Sequence, residues 1–304
     1  MRSLRISFPC MPDNSERPLL AVTLLILLSL IWGTSFILIK KGLVAFNPVE
    51  VSAIRIAVAG LVLLPMALVK VREVKKDQYP HLLVVGMVGI FIPAFLFALA
   101  QTRLESSLAG VLNSLSPLWT LIIGALFFQQ RFRGYVVLGI VLSFAGAIVL
   151  AFSRSGGITL DFNVFALLIV AACAMYGTNV NYIKYKIHNL GSVTITSVAV
   201  ALVAPLGFLI LFGFTDFVTK LQTVPGAWTA FGFLTILAVM STAVANLLFN
   251  KLIRIRSPLY AASVTYIMPL VSVGWGLLDG EHLYVGHFIG MGAILGGVYL
   301  ANKK

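Results

Sequence analysis

Charged side chains make up only 11% of this 304-residue sequence, and only ten residues are acidic. No Asp or Glu lies in the middle of any long apolar run. That leaves no buried carboxylate pair for general acid–base work and no acidic cluster to hold a divalent ion at depth. Cysteine is nearly missing. Cys10 stands near the start and Cys173 inside an apolar run, so neither a disulfide framework nor a cysteine metal cluster is available. The histidines, His81, His188, His282 and His287, fall in connecting stretches or near the ends of apolar runs. No G-x-S-x-G, H-E-x-x-H or phosphate-cradling glycine loop occurs. These absences weigh against an enzyme, and no cofactor or metal is expected.

What is abundant is apolar surface: 60% of the residues, with a mean hydropathy of +1.01. Ten segments approach or exceed the roughly 20 residues that a helix needs to cross a hydrocarbon core. They lie near 19–40, 49–69, 81–101, 106–128, 133–152, 162–183, 191–213, 227–249, 257–278 and 283–301. Backbone polar groups cannot be left bare in lipid, so these runs must be helical. The expected class is an all-α integral membrane protein, with loops too short for a soluble domain.

The net charge of +12 could suggest nucleic acid, but its placement follows the positive-inside rule. With the N-terminus in the cytoplasm, 16 basic residues fall inside and five outside, and Arg55 within a helix completes the 22. Nucleic-acid binding is therefore not expected. Both termini are expected in the cytoplasm. Residues 1–18 hold three arginines and three prolines and read as a disordered tail. Residues 19–31 continue into a full span, so segment 1 reads as a retained anchor, not a cleaved signal.

The sequence also repeats. Trp32-Gly33-Thr34 recurs as Tyr176-Gly177-Thr178 at an offset of 144, and Lys40 recurs as Lys184. Ser116-Pro117-Leu118 recurs as Met268-Pro269-Leu270 at 152, and Gly139 and Gly146 recur as Gly290 and Gly297 at 151. Each copy, 19–155 and 156–304, holds five segments. An odd number of crossings turns the second copy upside down relative to the first. Inverted repeats of this kind place a solute site near the midplane, between the halves. Ten transmembrane helices as two inverted five-helix repeats around a central cavity are the expected architecture.

Candidate lining residues follow from polarity at depth. Pro117 and Pro269 fall near the centres of segments 4 and 9, and each frees the carbonyl of the residue four before it, Asn113 and Thr265. Ser116 shares the face of Asn113, and Tyr260, Ser263 and Tyr266 enrich segment 9. The alternative is a kink whose polar neighbours recapture the carbonyl. Trp32 with Ser35, and Tyr176 with Asn179, are spaced i, i+3 on one helical face each, too deep for interfacial anchors. They serve either as gates and stacking surfaces for a solute or as packing aromatics. Asn246 and Asn250 share a face of segment 8 and must meet protein or water. Interhelical bonding is the other reading. Arg55 is the only charge well inside a span. An outward-snorkelling anchor is weighed slightly ahead of solute binding. Segments 5 and 10, rich in glycine, are expected to be scaffold, packed against neighbours or a second protomer. The expected site is Trp32, Ser35, Asn113, Ser116, Tyr176, Asn179, Asn246, Asn250, Ser263 and Tyr266.

Trp32-Gly33-Thr34-Ser35-Phe36, Pro48 with Arg55, Phe97-Ala98-Leu99, and Ala109 with Ser116 and Pro117 resemble the EamA-type members of the drug/metabolite transporter superfamily. The second copy keeps Tyr260, Ala261, Pro269 and Gly280-Glu281, while Gln129-Gln130 departs from the Gly-Glu expected at that place in the first. The resemblance covers about 19–301. It implies a ten-helix fold whose cavity is lined from segments 1, 3, 4, 6, 8 and 9, with 5 and 10 peripheral. It also implies transport of a small organic solute across the plasma (inner) membrane, often export of amino acids or related metabolites. The expected partners are a small-molecule substrate and the lipid bilayer, with the protein a monomer or homodimer. Within the same fold, a multidrug carrier or a nucleotide-sugar or sugar-phosphate exchanger is the alternative. A lipid-linked intramembrane transferase would need clustered carboxylates and a metal, which the sequence lacks.

Overall fold

The computed structural model describes residues 18–128, 134–154, 157–158, 163–187, 189–255 and 264–302. Among the described residues, ten helices fall on the ten apolar segments: α1 (Pro18–Gly42), α2 (Pro48–Lys70), α3 (79–100), α4 (106–128), α5 (Gly134–Phe152), α6 (Phe165–Lys186), α7 (Ser192–Gly213), α8 (227–255), α9 (Val264–Leu278) and α10 (Val285–Asn302). Seven helices among the described residues have the length and apolarity to cross a bilayer, and Gly134–Leu150, Ile267–Leu278 and Val285–Leu300 are shorter apolar ones. The chain is a multi-pass membrane protein. A two-residue antiparallel ladder, Ser153–Arg154 with Gly157–Ile158, follows α5. A short helix, Phe217–Thr223, precedes α8 and was not signalled by hydropathy.

Three helices are irregular. In α4, the carbonyl released by Pro117 sits at the head of a 3₁₀ stretch, Asn113–Leu115. Both α3 and α8 widen into π-helix, at Met87–Phe91 and Leu237–Val244. The two π stretches begin 150 residues apart, close to the sequence repeat. Such widenings shift the register of side chains and are frequent at functional sites.

Helix pairing is reciprocal between the halves. α1 packs on α8 and α9, and α6 packs on α3 and α4. α2 meets α8, and α7 meets α3; α2–α7, α4–α9 and α5–α10 pair with one another. Close approach explains the repeated glycines. A Cβ on Gly33 would stand 2.5 Å from Val271 Cβ and 2.9 Å from the Met268 carbonyl. One on Gly177 would stand 2.6 Å from the backbone of Trp119 and Thr120. Between α5 and α10, a Cβ on Gly146 would lie 2.7 Å from the Gly290 carbonyl, and one on Gly297 would strike the Gly139 carbonyl. Ser143 Oγ donates to the Ile294 carbonyl at 3.1 Å across the same seam. Without water to drive association, small residues let helix backbones touch.

Ion pairs fasten the loops. Asn47 and Glu50 form a capping box at the start of α2, with bonds of 2.8 and 2.9 Å. Lys220 reaches Glu50 at 2.7 Å. Gly280, in the left-handed conformation at φ 77°, reverses the chain after α9. The reversal sets the buried Glu281 over the first turn of α4. There its carboxylate accepts from Ser106 N (2.9 Å), Ser106 Oγ (2.6 Å), Ser107 N (3.0 Å) and Ser107 Oγ (2.6 Å). Lys40 joins it at 2.8 Å and also binds Asp279 at 2.9 Å, and Lys41 binds Asp279. Burial alone would raise the Glu281 carboxyl, but Lys40 and the serine donors outweigh it and hold the group at about 2. Hydrogen bonds from Lys41 and Lys40 lower Asp279. Glu105 is raised, by burial and then by the charge on Glu281.

Candidate functional site

The expected residues fall into two groups. The first gathers on the π stretch of α8. Trp32 Nε1 donates to the Ser241 carbonyl at 3.1 Å, and its ring meets Phe249 at 5.1 Å. Ser35 bonds Ile31 O at 3.0 Å and also meets the Ser241 hydroxyl. Asn246 Nδ2 turns back along its own helix to Thr242 O at 2.8 Å. Arg55 enters from α2, its Nε donating to Thr242 Oγ1 at 3.1 Å. Ser241 and Thr242 were absent from the expected set. Ser and Thr inside an apolar helix usually bond back to the preceding turn, so their sequence signal is weak. It took the π widening to turn them toward α1 and α2.

The second group joins α4, α6 and α9. Ser116 Oγ donates to Asn113 O at 2.8 Å and lies 3.3 Å from its Oδ1. Asn113 O also accepts the backbone N–H of Ser116. The carbonyl freed by Pro117 is therefore recaptured locally. The Asn113 side chain stays more available: among the described residues its Nδ2 meets the weak acceptor Met268 Sδ, at 3.8 Å. Ser114 donates to the Thr265 carbonyl at 3.4 Å, so the second freed carbonyl is met from the other half of the chain. Cys173 lies 3.9 Å from Asn113 Oδ1. One turn along α6, Tyr176 stacks on Phe97 at 6.1 Å. Another turn on, Asn179 abuts Gly89 in the π stretch of α3, and its buried Oδ1 has no hydrogen-bond partner among the described residues.

The aromatic contacts are equivalent in the two halves. Trp32 meets Phe249 and Tyr176 meets Phe97, with offsets of 144 and 152 between corresponding members. Each motif thus takes its partner from the opposite half. Arg55 and Tyr176 lie within electrostatic reach of each other. Ser263 lies outside the described residues, as do the side chains of Asn250 and Tyr266. A separate cavity of about 330 Å³ opens near the α1–α2 turn, bounded by Lys40, Phe46, Asn47 and Gln101 among others, and none of the ten expected residues lines it. No group of three His, Cys, Asp or Glu among the described residues could hold a metal ion.

Residues 19–152 and 164–303 each match the EamA-like transporter family. An uncharacterized transporter of Archaeoglobus fulgidus is 25% identical over 277 residues, 90% of this chain and 95% of its own. A probable amino-acid metabolite efflux pump of Escherichia coli is 25% identical, covering 91% and 93%. The uncharacterized inner membrane transporter YedA of Escherichia coli is 27% identical, covering 90% and 88%. One crystal structure matches with a TM-score of 0.64 over 92% of this chain and 96% of that one. At 19% identity it speaks for the fold alone.

Proposed function

The chain belongs to the EamA-like transporter family, and from that premise we propose a secondary carrier that moves a small organic metabolite by alternating access. The solute is an amino acid or a similar amphipathic compound, and the direction is export across the plasma membrane. Two inverted five-helix halves, with the seven membrane-length helices and the three shorter ones as the ten spans, form the carrier. Both termini face the cytoplasm. The observation that carries this reading is the reciprocal pairing of α1 and α6. Each bears an aromatic-glycine motif and packs it on the proline-bearing helix and the π-widened helix of the other half. An interface with two equivalent arrangements is what exchange between two open states requires.

The solute lies between the two groups, its apolar body against Trp32 and Tyr176 and its polar ends toward Ser35, Asn113, Ser116 and Asn179. Asn246, Asn250, Ser263 and Tyr266 complete the site. A mostly apolar pocket with a few directed polar groups is the usual form of a small-molecule site. The Escherichia coli relative named for amino-acid metabolite efflux supports this solute class. Purified protein in proteoliposomes, tested with a panel of labelled amino acids against protein-free vesicles, should show saturable flux. Flux no greater than in protein-free vesicles for every solute tested would overturn the reading.

A further inference from the structure

We infer that Arg55 is the anchor for a single carboxylate on the transported solute, so that the substrate class is an organic monoanion or a zwitterion held by its carboxylate. This rests on the carrier reading above. Arg55 sits seven residues into α2, about 10 Å along the helix at 1.5 Å per residue. A guanidinium does not lose its proton in a protein and carries five N–H donors. Here Nε uses one of them on Thr242. Among the described residues no carboxylate pairs with it: the ion pairs involve Lys40, Lys41, Lys70 and Lys220. Glu50, the acid on the same helix, is committed to Lys220 and to the capping box. A cation left unpaired at depth is costly, and an incoming anion relieves that cost.

The position fits binding better than anchoring. Instead of turning outward along α2, the side chain crosses to the π stretch of α8. There it bonds Thr242, whose carbonyl accepts from Asn246, next to Ser241, which meets Trp32 and Ser35. Tyr176 is also within electrostatic reach. The remaining donors form a planar fork, which matches a carboxylate in a two-bond arrangement. One fixed positive charge balances one negative charge. A phosphate ester would bring a second charge that the single guanidinium does not balance, so a carboxylate is favoured over a phosphate. The same balance bears on cycling. In the loaded carrier the guanidinium is paired with a carboxylate, whereas the empty carrier must close around a bare cation. Exchange of one solute for another should therefore outrun net one-way flux.

The test uses full-length protein in proteoliposomes, with exchange of labelled leucine read against unlabelled leucine, N-acetylleucine (carboxylate kept) and leucinamide (carboxylate lost). Wild type should be inhibited by the first two at least tenfold more strongly than by leucinamide, and should exchange at least tenfold faster than it releases leucine into empty buffer. Arg55→Gln should bring both ratios close to one. Arg55→Lys keeps the charge without the fork and should weaken leucine about tenfold while keeping the preference for a carboxylate. Size exclusion establishes that each variant is folded. Equal inhibition by leucinamide in wild type, or unchanged ratios in Arg55→Gln, overturns the inference and leaves the carrier standing. Wild-type flux of neutral solutes with none for leucine does the same, and flux of nothing at all overturns both. Should Arg55→Gln fail to fold, the wild-type competition and Arg55→Lys still decide: loss of carboxylate preference in Arg55→Lys refutes the anchor.

Discussion

Replacing Glu281 by alanine removes the acceptor for four hydrogen bonds from Ser106 and Ser107 and one carboxylate partner of Lys40. Loss of a helix N-cap alone costs about 0.5–2 kcal/mol. Breaking a buried ion pair costs about 3–5 kcal/mol. Lys40 keeps Asp279 as a partner and its side chain is 32% exposed, which moves the expectation to the low end, about 3 kcal/mol. The carboxyl itself gives a comparable figure. Its fall from 4.5 to about 2 corresponds to roughly 3 kcal/mol favouring the charged form. At about 2 °C per kcal/mol for a chain of this size, melting should drop by about 6 °C. Glu281→Gln should lose a comparable amount, because its amide NH₂ would face donors on every side. The sign with pH follows from the lowered group. Its stabilisation is fully present above the ordinary carboxylate range and is lost as pH falls from about 4.5 toward about 2. Thermal unfolding of detergent-purified protein, followed by size exclusion, measures both effects. An unchanged melting point for Glu281→Ala at pH 7 would refute the reasoning, as would a wild-type minus variant difference that grows as pH falls below 4.

Gly33→Ala and Gly177→Ala should each cost about 1–3 kcal/mol, because even a methyl meets the opposing helix at 2.5–2.6 Å. Thermal melts should show similar losses at the two positions, and a neutral result at either would break the equivalence of the halves. Single cysteines placed in 153–161 and 214–226 should react with impermeant reagents only from outside, and labelling from the cytoplasmic face would end the proposed topology. With no carboxylate at mid-span, and with Glu50 held by Lys220, Glu50→Gln should leave the response of flux to an imposed pH gradient unchanged. Proton-driven accumulation abolished by that substitution would overturn this expectation.

Hydropathy was enough to place the long helices, because a bilayer leaves few choices for an apolar run. Pro117 marked where α4 loses its regular ladder, and the 3₁₀ turn begins at the residue expected from proline chemistry. The repeated Trp32-Gly33 and Tyr176-Gly177 motifs gave the positions of contact between the halves. Their partners were not legible. Nothing in the run Leu237–Val244 signals a π-helix, so Ser241 and Thr242 read as ordinary hydroxyls in an apolar helix. The fate of the freed carbonyls was also undecidable from sequence. Ser116 and Ser114 occupy them, one locally and one across the halves, which leaves recognition to side chains. The direction taken by Arg55 was ambiguous for a similar reason. Snorkelling and inward pairing use the same flexible stem, and only the position of Thr242 distinguishes them. The ion cluster around Lys40 joins three loops that are distant in sequence, and nothing in their spacing signals that they meet.

In the proposed carrier, solute binds between the two aromatic motifs. Initial-rate flux of a transported amino acid through Trp32→Ala and Asn113→Ala, reconstituted at matched density, tests it most directly. Both variants should stay monodisperse, and both should lose flux by about tenfold or more, the scale of one aromatic or one directed hydrogen-bond contact. Wild-type rates in well-folded Trp32→Ala and Asn113→Ala would contradict the account and move the site elsewhere in the protein.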